Sequence, residues 1–334
     1  MAACGGNETT TGPTAGSGGE TTEPAGGSTE GSETTEPAGG SGESYHIGIT
    51  QIVAHEALDA TAQGFKDALA DAGIAATYDE KNAQGDVTTA ASIAGTFADG
   101  DFDLIFAIAT PTAQAAVQAI TDVPIVFGAV TDPVEVGLVG SWEEPGANVT
   151  GTSDKSPVKE QLELLLQIAP DAETVGVVYS STEENSLVQL AWAEEEGAKL
   201  GLTIETATIS TSADLLQAAE SLDVDAFYVF TDNTVVSAVE TLIGVAEERQ
   251  IPVIASDGGS VERGATASYA FNYYDMGVQS GEMAIRILEG ADPATMPVET
   301  SQTLILTVNP DAAERAGIEL PQELLDRADE TVGE

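Results

Sequence analysis

From Tyr45 onward, short apolar runs alternate with longer stretches whose apolar residues recur three and four positions apart. The runs at 45–50, 103–109, 124–130, 174–179, 225–230, 252–255 and 265–271 read as buried parallel strands. Between them, Leu58, Thr61/Ala62, Phe65, Leu69 and Ala72 form one helical stripe, and Val87, Ala90, Ala94 and Phe97 a second. Val158, Leu162, Leu165 and Leu166 form a third, entered through Ser156-Pro157 as cap and first turn. These stripes are core faces and carry no function of their own. Strand–helix repetition of this kind predicts an α/β protein with parallel sheets and right-handed crossovers.

The alternation breaks once, in the turn-rich stretch Glu143–Ser156, and restarts at Thr174. With 334 residues, the length suits two domains of about 150 residues each. The break is therefore expected to be the first passage between two lobes. The chain is expected to recross after Tyr269 and again before a strand at 303–308. One lobe would hold residues 45–155 plus about 270–298, and the other about 156–269 plus about 299–334.

The first 44 residues have another character. Residues 5–44 hold no large aliphatic or aromatic side chain, and Glu-Thr-Thr-Glu-Pro-Ala-Gly-Gly-Ser occurs at 20–28 and again at 33–41. A segment this polar cannot offset its ordering entropy, so it reads as a disordered linker spanning roughly 35 Å r.m.s.. Ahead of it stands Ala2-Ala3-Cys4-Gly5-Gly6. Small residues before a lone Cys, then Gly and a polar tether, resemble the end of a bacterial lipoprotein signal peptide without its charged and apolar parts. Cys4 is thus expected to carry a diacylglyceryl anchor, two acyl chains being what stable membrane attachment requires.

Composition then removes several function classes. There are 56 acidic and 10 basic residues, a formal net charge of −46. Such a surface repels phosphate backbones and anionic headgroups, so nucleic acid is an unsuitable partner. Cys4 is the single cysteine and His46 and His55 are the two histidines. Disulfides within the chain, thiolate clusters and a multi-histidine metal site are excluded on those counts, and no metal or other cofactor is expected. Nothing approaches 18 uninterrupted apolar residues, so no membrane span is expected. A Gly-x-Ser-x-Gly elbow, a His-Glu-x-x-His helix, a Walker A loop and a dinucleotide fingerprint after the first strand are all missing. The chain does not read as an enzyme.

In open parallel sheets, ligands sit beyond the carboxyl ends of the strands, where helix N-termini aim their N–H groups. The residues at those ends form a consistent set. Thr110 and Thr112 follow one strand and Thr131 and Asp132 the next; Asn185 and Ser186 follow the run at 174–179. Asp232 and Asn233 come after 225–230, and Asp257 after 252–255. Hydroxyls and amides at helix starts suit a carboxylate, and a buried Asp suits an ammonium, so together they describe a site for a zwitterion. Each of these residue types is equally a standard N-cap. Their common placement is what favours a ligand. His55, after the first strand, is either a cleft residue or a surface histidine near a helix start. Tyr269, Phe271, Tyr273 and Tyr274 gather at the second expected crossing, where they either flank an apolar ligand or pack the hinge.

Eight short stretches, in order, resemble a known family. They are His55-Glu-Ala-Leu-Asp-Ala60, Ala83-Gln-Gly-Asp86, Ala109-Thr-Pro-Thr-Ala-Gln114, Val130-Thr-Asp-Pro133, Asn148-Val-Thr-Gly151, Glu184-Asn-Ser186, Thr231-Asp-Asn233 and Asp275-Met-Gly277. The series is similar to substrate-binding proteins of ABC importers of the tryptophan/tyrosine-type branch, across residues 45–334. The resemblance implies a type I periplasmic-binding fold, with two Rossmann-like lobes, parallel sheets and a three-segment hinge. It implies an extracytoplasmic monomer that closes on an amino acid, aromatic favoured, and delivers it to a membrane permease with a cytoplasmic ATPase. Thr110, Thr112, Asn185, Ser186, Asp232 and Asp257 are the contacts it favours, with His55, Thr131, Asp132, Asn233 and Tyr269 completing the candidate site. A ligand-sensing receptor of the same fold, or a sugar as ligand, stays open at this level.

Overall fold

The computed structural model describes residues 44–301 and 303–333; Cys4 and the tether behind it lie outside the described residues. The chain first lays down β1 (Tyr45–Gln51), α1 (Glu56–Asp71), β2 (Ala76–Asn82), α2 (Val87–Ala98), β3 (Leu104–Ile108), α3 (Thr110–Ala119), β4 (Ile125–Val130) and β5 (Val149–Ser153). It then builds α4 (Val158–Ile168), β6 (Thr174–Ser180), α5 (Glu184–Leu200), β7 (Thr203–Ile209), α6 (Leu215–Ser221) and β8 (Ala226–Val229). Next come α7 (Asn233–Val236), α8 (Val239–Arg249), β9 (Val253–Ala255), α9 (Gly258–Glu262) and β10 (Ala267–Phe271). The last part holds α10 (Tyr273–Leu288), β11 (Glu299–Thr300), β12 (Leu304–Val308), α11 (Pro310–Arg315), α12 (Gln322–Arg327) and β13 (Glu330–Thr331).

Two sheets result. The first runs β11-β5-β4-β3-β1-β2, and every pairing in it is parallel. The second runs β13-β12-β10-β9-β8-β6-β7 and is parallel except between β10 and β12. That exception follows from connectivity. β12 enters the second sheet from β11 of the first, without a crossover helix to reverse the chain, so it runs against β10.

The strands named from the sequence are the central ones, buried on both faces. Among those not named, β2 and β7 are edge strands whose residues are mostly exposed or half-buried, which hides them from a search for apolar runs. β5 lies inside the expected break at 143–156. Its sequence Val-Thr-Gly-Thr-Ser is wholly buried although mostly polar, because its hydroxyls find partners. Thr150 Oγ1 donates to Met296 O at 2.8 Å, Thr152 Oγ1 lies 2.7 Å from Ser280 Oγ, and Ser153 Oγ donates to Thr131 O at 3.0 Å. Glu299–Thr300 pair with Thr152–Ser153, so the last passage between sheets falls after Thr300, slightly beyond the boundary expected near residue 298.

What aims the first lobe at the second is the packing of α1 on α10. The two helices approach so closely that a Cβ on Gly64 would lie 2.1 Å from Tyr274 O, and one on Gly277 2.2 Å from Thr61 O. No side chain fits either place. Phe65 on α1 stacks on Phe106 of β3 with centroids 4.0 Å apart, burying both rings. The N-terminal ends of α1 and α10, bearing His55 and Tyr273, are thereby held side by side at the carboxyl edge of the first sheet.

Candidate ligand cleft

Between the two sheets' carboxyl edges lies a narrow cavity with a free volume of about 10 Å3, room for about one water. The first lobe lines it with His55, Ala57, Leu58, Thr110, Ala129, Thr131 and Tyr273, the hinge with Asp154, and the second lobe with Asn185, Thr231, Asn233, Val236 and Asp257. The space is pinched because the walls touch: His55 Nε2 is 3.4 Å from Asn233 Oδ1, and Thr131 Oγ1 is 3.3 Å from Thr231 Oγ1. At the rim Gln114 Nε2 donates to Glu184 Oε2 at 2.6 Å. The lobes are closed on each other.

Four buried polar atoms that line this space have no partner: His55 Nδ1, Thr110 Oγ1, Asp154 Oδ1 and Asn185 Oδ1. A buried polar atom left unpaired costs about 1–3 kcal/mol, so four in one cavity describe a surface made for something polar. The set is chemically divided. The threonine hydroxyl donates, as a carboxylate requires; the aspartate, the amide oxygen and, because Nε2–H donates to Asn233 Oδ1, His55 Nδ1 accept, as an ammonium requires. Leu58, Ala129, Val236 and Tyr273 supply the apolar remainder.

The backbone of the first wall is strained where it meets the cavity. Ala109 has φ 77°, ψ 155°, immediately before Thr110, and Ala129 has φ 55°, two residues before Thr131. Non-glycine residues at positive φ cost on the order of 1–3 kcal/mol and persist where the surroundings enforce them, often at binding sites. At Ala129 the pairing of β4 with β5 also shifts register.

Asp154 was not among the residues expected from the sequence. It sits in the first passage between lobes, fully enclosed, where Tyr273 OH donates to its Oδ2 at 2.8 Å. Burial pushes its carboxyl up to about 6, against a lowering by that hydrogen bond. The sequence signal was present in Ser153-Asp154-Lys155, but it follows a strand too polar to be recognised. His55 is held below the usual histidine range, chiefly by burial and against the opposing field of Asp257.

Of the expected candidates, His55, Thr110, Thr131, Asn185, Asn233 and Asp257 line the cavity. Five do not, each for a visible reason. Asp232 is completely buried, and its Oδ2 accepts from Ser180 N at 2.6 Å and Ser186 Oγ at 2.7 Å while Oδ1 accepts from Val235 N at 2.9 Å. It ties β6, α5 and α7 together and does not reach the cavity. Ser186 is used in the same network. Thr112 Oγ1 donates back to Ile108 O and Ala109 O, at the end of β3 and the start of its own helix. Asp132 caps its turn through Val134 N and Glu135 N and pairs with Lys155 at 3.1 Å. Tyr269 lies on β10 outside the cleft, its carbonyl accepting from Gln161 Nε2 at 2.8 Å. Even Asp257, though at the cavity, is engaged as a cap: Ser260 N and Ser260 Oγ both donate to it at 2.7 Å. Among the described residues, no group of three or more His, Cys, Asp or Glu could hold a metal ion, and no helix is long and apolar enough to cross a membrane.

Comparison with known proteins agrees with this geometry. The family model of the ABC transporter substrate binding protein matches residues 46–332. A tyrosine-binding protein of Clostridioides difficile is 43% identical over 272 residues, covering 80% of this chain and 79% of its own length. An ABC domain in complex with L-Trp from Streptococcus pneumonia superposes with a TM-score of 0.84 at 33% identity, covering 87% of this chain and all of that one. The ligand-free, open structure of a Clostridium difficile substrate binding protein with adhesive properties is 44% identical and covers 86% of this chain and 99% of its own, yet its TM-score is 0.66. Shape thus follows the ligand-bound relative over the more identical open one, as the touching walls require. The chain belongs to the ABC transporter substrate-binding protein family, with the two-lobed α/β fold of type I periplasmic binding proteins.

Proposed function

We propose that the cleft captures a zwitterionic amino acid with an aromatic side chain. The observation that carries this is the set of four unpartnered buried atoms. Thr110 would meet the carboxylate, and Asp154 with Asn185 and His55 the ammonium. The names of the tyrosine-binding relative and of the L-Trp complex support the aromatic part of the reading. So does the apolar lining by Leu58, Val236 and Tyr273. Because His55 and Asn233 now touch, admitting a large side chain requires the walls to part before they close again. A ligand that bridges both lobes stabilises the closed form through contacts the open form lacks. Calorimetric titration with the twenty amino acids and a set of hexoses tests the assignment. Tyrosine or tryptophan should give the tightest binding; heat from a hexose alone would sink it.

The same reading places the protein outside the cytoplasm as a monomer, delivering its ligand to a permease and its ATPase. A lipid on Cys4 would hold it to the membrane through the polar tether. With the native signal sequence in place, Cys4→Ser should release the protein in soluble form, and continued membrane retention would count against the anchor.

A further inference from the structure

The chain contains two tryptophans, and both meet the same ammonium. Lys155 Nζ lies 5.6 Å from the ring centroid of Trp142 and 4.7 Å from that of Trp192. Trp142 belongs to the first lobe, on the connection between β4 and β5, where its carbonyl accepts from Val298 N at 2.8 Å. Trp192 belongs to the second lobe, on α5. Lys155 stands on the hinge between them, one residue after Asp154.

Two further observations show that the arrangement bears on closure. Glu184, Val188 and Trp192 are spaced four apart and so share one face of α5. Glu184 accepts from Gln114 of the first lobe, Val188 packs into the first lobe's cluster around Phe127 and Val139, and Trp192 meets Lys155. That face is a seam between lobes. Lys155 itself is tied back to the first lobe. Its Nζ reaches Asp132 at 3.1 Å, and its N–H donates to Ser153 Oγ, which donates in turn to Thr131 O. Opening the hinge would draw Trp192 off the ammonium and leave Trp142 and Asp132 on it.

We propose that Lys155 is a positioning residue of the ligand cleft, its ammonium holding Trp192 of one lobe against Trp142 of the other and so fixing Asp154 where it faces the cavity. The proposal rests on the amino-acid reading above for its ligand, but not for its geometry. A cation is attracted to an aromatic face, and here one ammonium reaches a ring from each lobe. Lys155 is half-exposed, so the expected effect is moderate.

The test uses L-tyrosine as probe and tryptophan emission as one readout, in wild type, Lys155→Met and Lys155→Arg. In wild type, L-tyrosine should change the emission as Trp192 closes on the ammonium, and a Trp142→Phe variant should keep that change. Lys155→Met should bind L-tyrosine roughly three- to tenfold more weakly with a diminished emission change and an unaltered apo melting temperature. Lys155→Arg should restore both, since a guanidinium also stacks on indole. Wild-type affinity and emission in Lys155→Met would overturn the proposal, as would an Arg variant no better than Met. If wild type binds no amino acid, the ligand reading has failed and the latch is judged separately. Small-angle scattering of the ligand-free proteins should then show Lys155→Met more open than wild type, and identical profiles would refute it.

Discussion

On the first-lobe side of the cleft and its hinge, His55, Thr110 and Asp154 each present a buried polar atom that has no partner. On the second-lobe side, Ser186, Asp232, Asn233 and Asp257 are the same kinds of residue at equivalent strand ends, yet their polar atoms are engaged with one another and with helix N-termini. Glu183 completes that network by accepting from Asn233 N, Asn233 Nδ2, Thr234 N and Thr234 Oγ1. On the first side, His55, Thr110 and Asp154 keep hydrogen-bonding capacity for a ligand. The second wall has used it to bind three short elements into a platform, leaving Asn185 Oδ1 free. Residue type at a strand end therefore says that a polar group will be needed there, and neighbours decide whether the ligand or the fold receives it.

The sharpest way to break this contrast is to truncate one carboxylate on each side. Asp232→Ala strands Ser180 N, Ser186 Oγ and Val235 N inside the protein, and should lower stability by about 3–5 kcal/mol. Thermal or denaturant unfolding measures it. A folded Asp232→Ala protein of normal stability that fails to bind would show Asp232 to be a ligand residue and erase the distinction. Asp232 also carries a pH signature. Burial, then repulsion from Glu183, pushes its carboxyl up to about 7, so the folded state holds a proton that the unfolded chain has lost. This group's contribution to stability therefore falls as pH rises from about 4 to about 7.

On the other wall, Asp154→Asn should change melting little and weaken amino-acid binding by about 10- to 150-fold, the range of a lost charge-assisted hydrogen bond. Equal affinity in variant and wild type would remove Asp154 from the site. The smaller effect sharpens the same point. Because Asp154 must be ionised to hold an ammonium and titrates near 6, wild-type affinity should decline by at most about tenfold per unit as pH drops below 6. Asp154→Asn should lack that dependence, as calorimetry at several pH values would show.

The parts of the fold that were legible beforehand are those where one physical requirement acts alone. Strands at 103–109 and 124–130 announce themselves because burial on both faces demands an unbroken apolar run. β2 and β7 did not, since an edge strand with one wet face imposes no such demand. β5 was hidden by the reverse circumstance: it is buried, but Met296 O, Ser280 Oγ and Thr131 O satisfy its hydroxyls from far along the chain. Concealing β5 concealed Asp154, which follows it directly. Asp232 is legible as a strand-end acid, but the network that engages it is not, because Ser180 and Ser186 lie about fifty residues away.

The sequence by itself determined that this chain makes two α/β lobes and places polar residues at the ends of their central strands, since apolar periodicity and helix-cap chemistry are local properties. Which of those polar atoms remain free was decided by tertiary structure alone. A hydrogen bond is satisfied by whatever lies within about 3 Å, and at this cleft those neighbours come from the other lobe, from the hinge, or from strands that no local pattern marks.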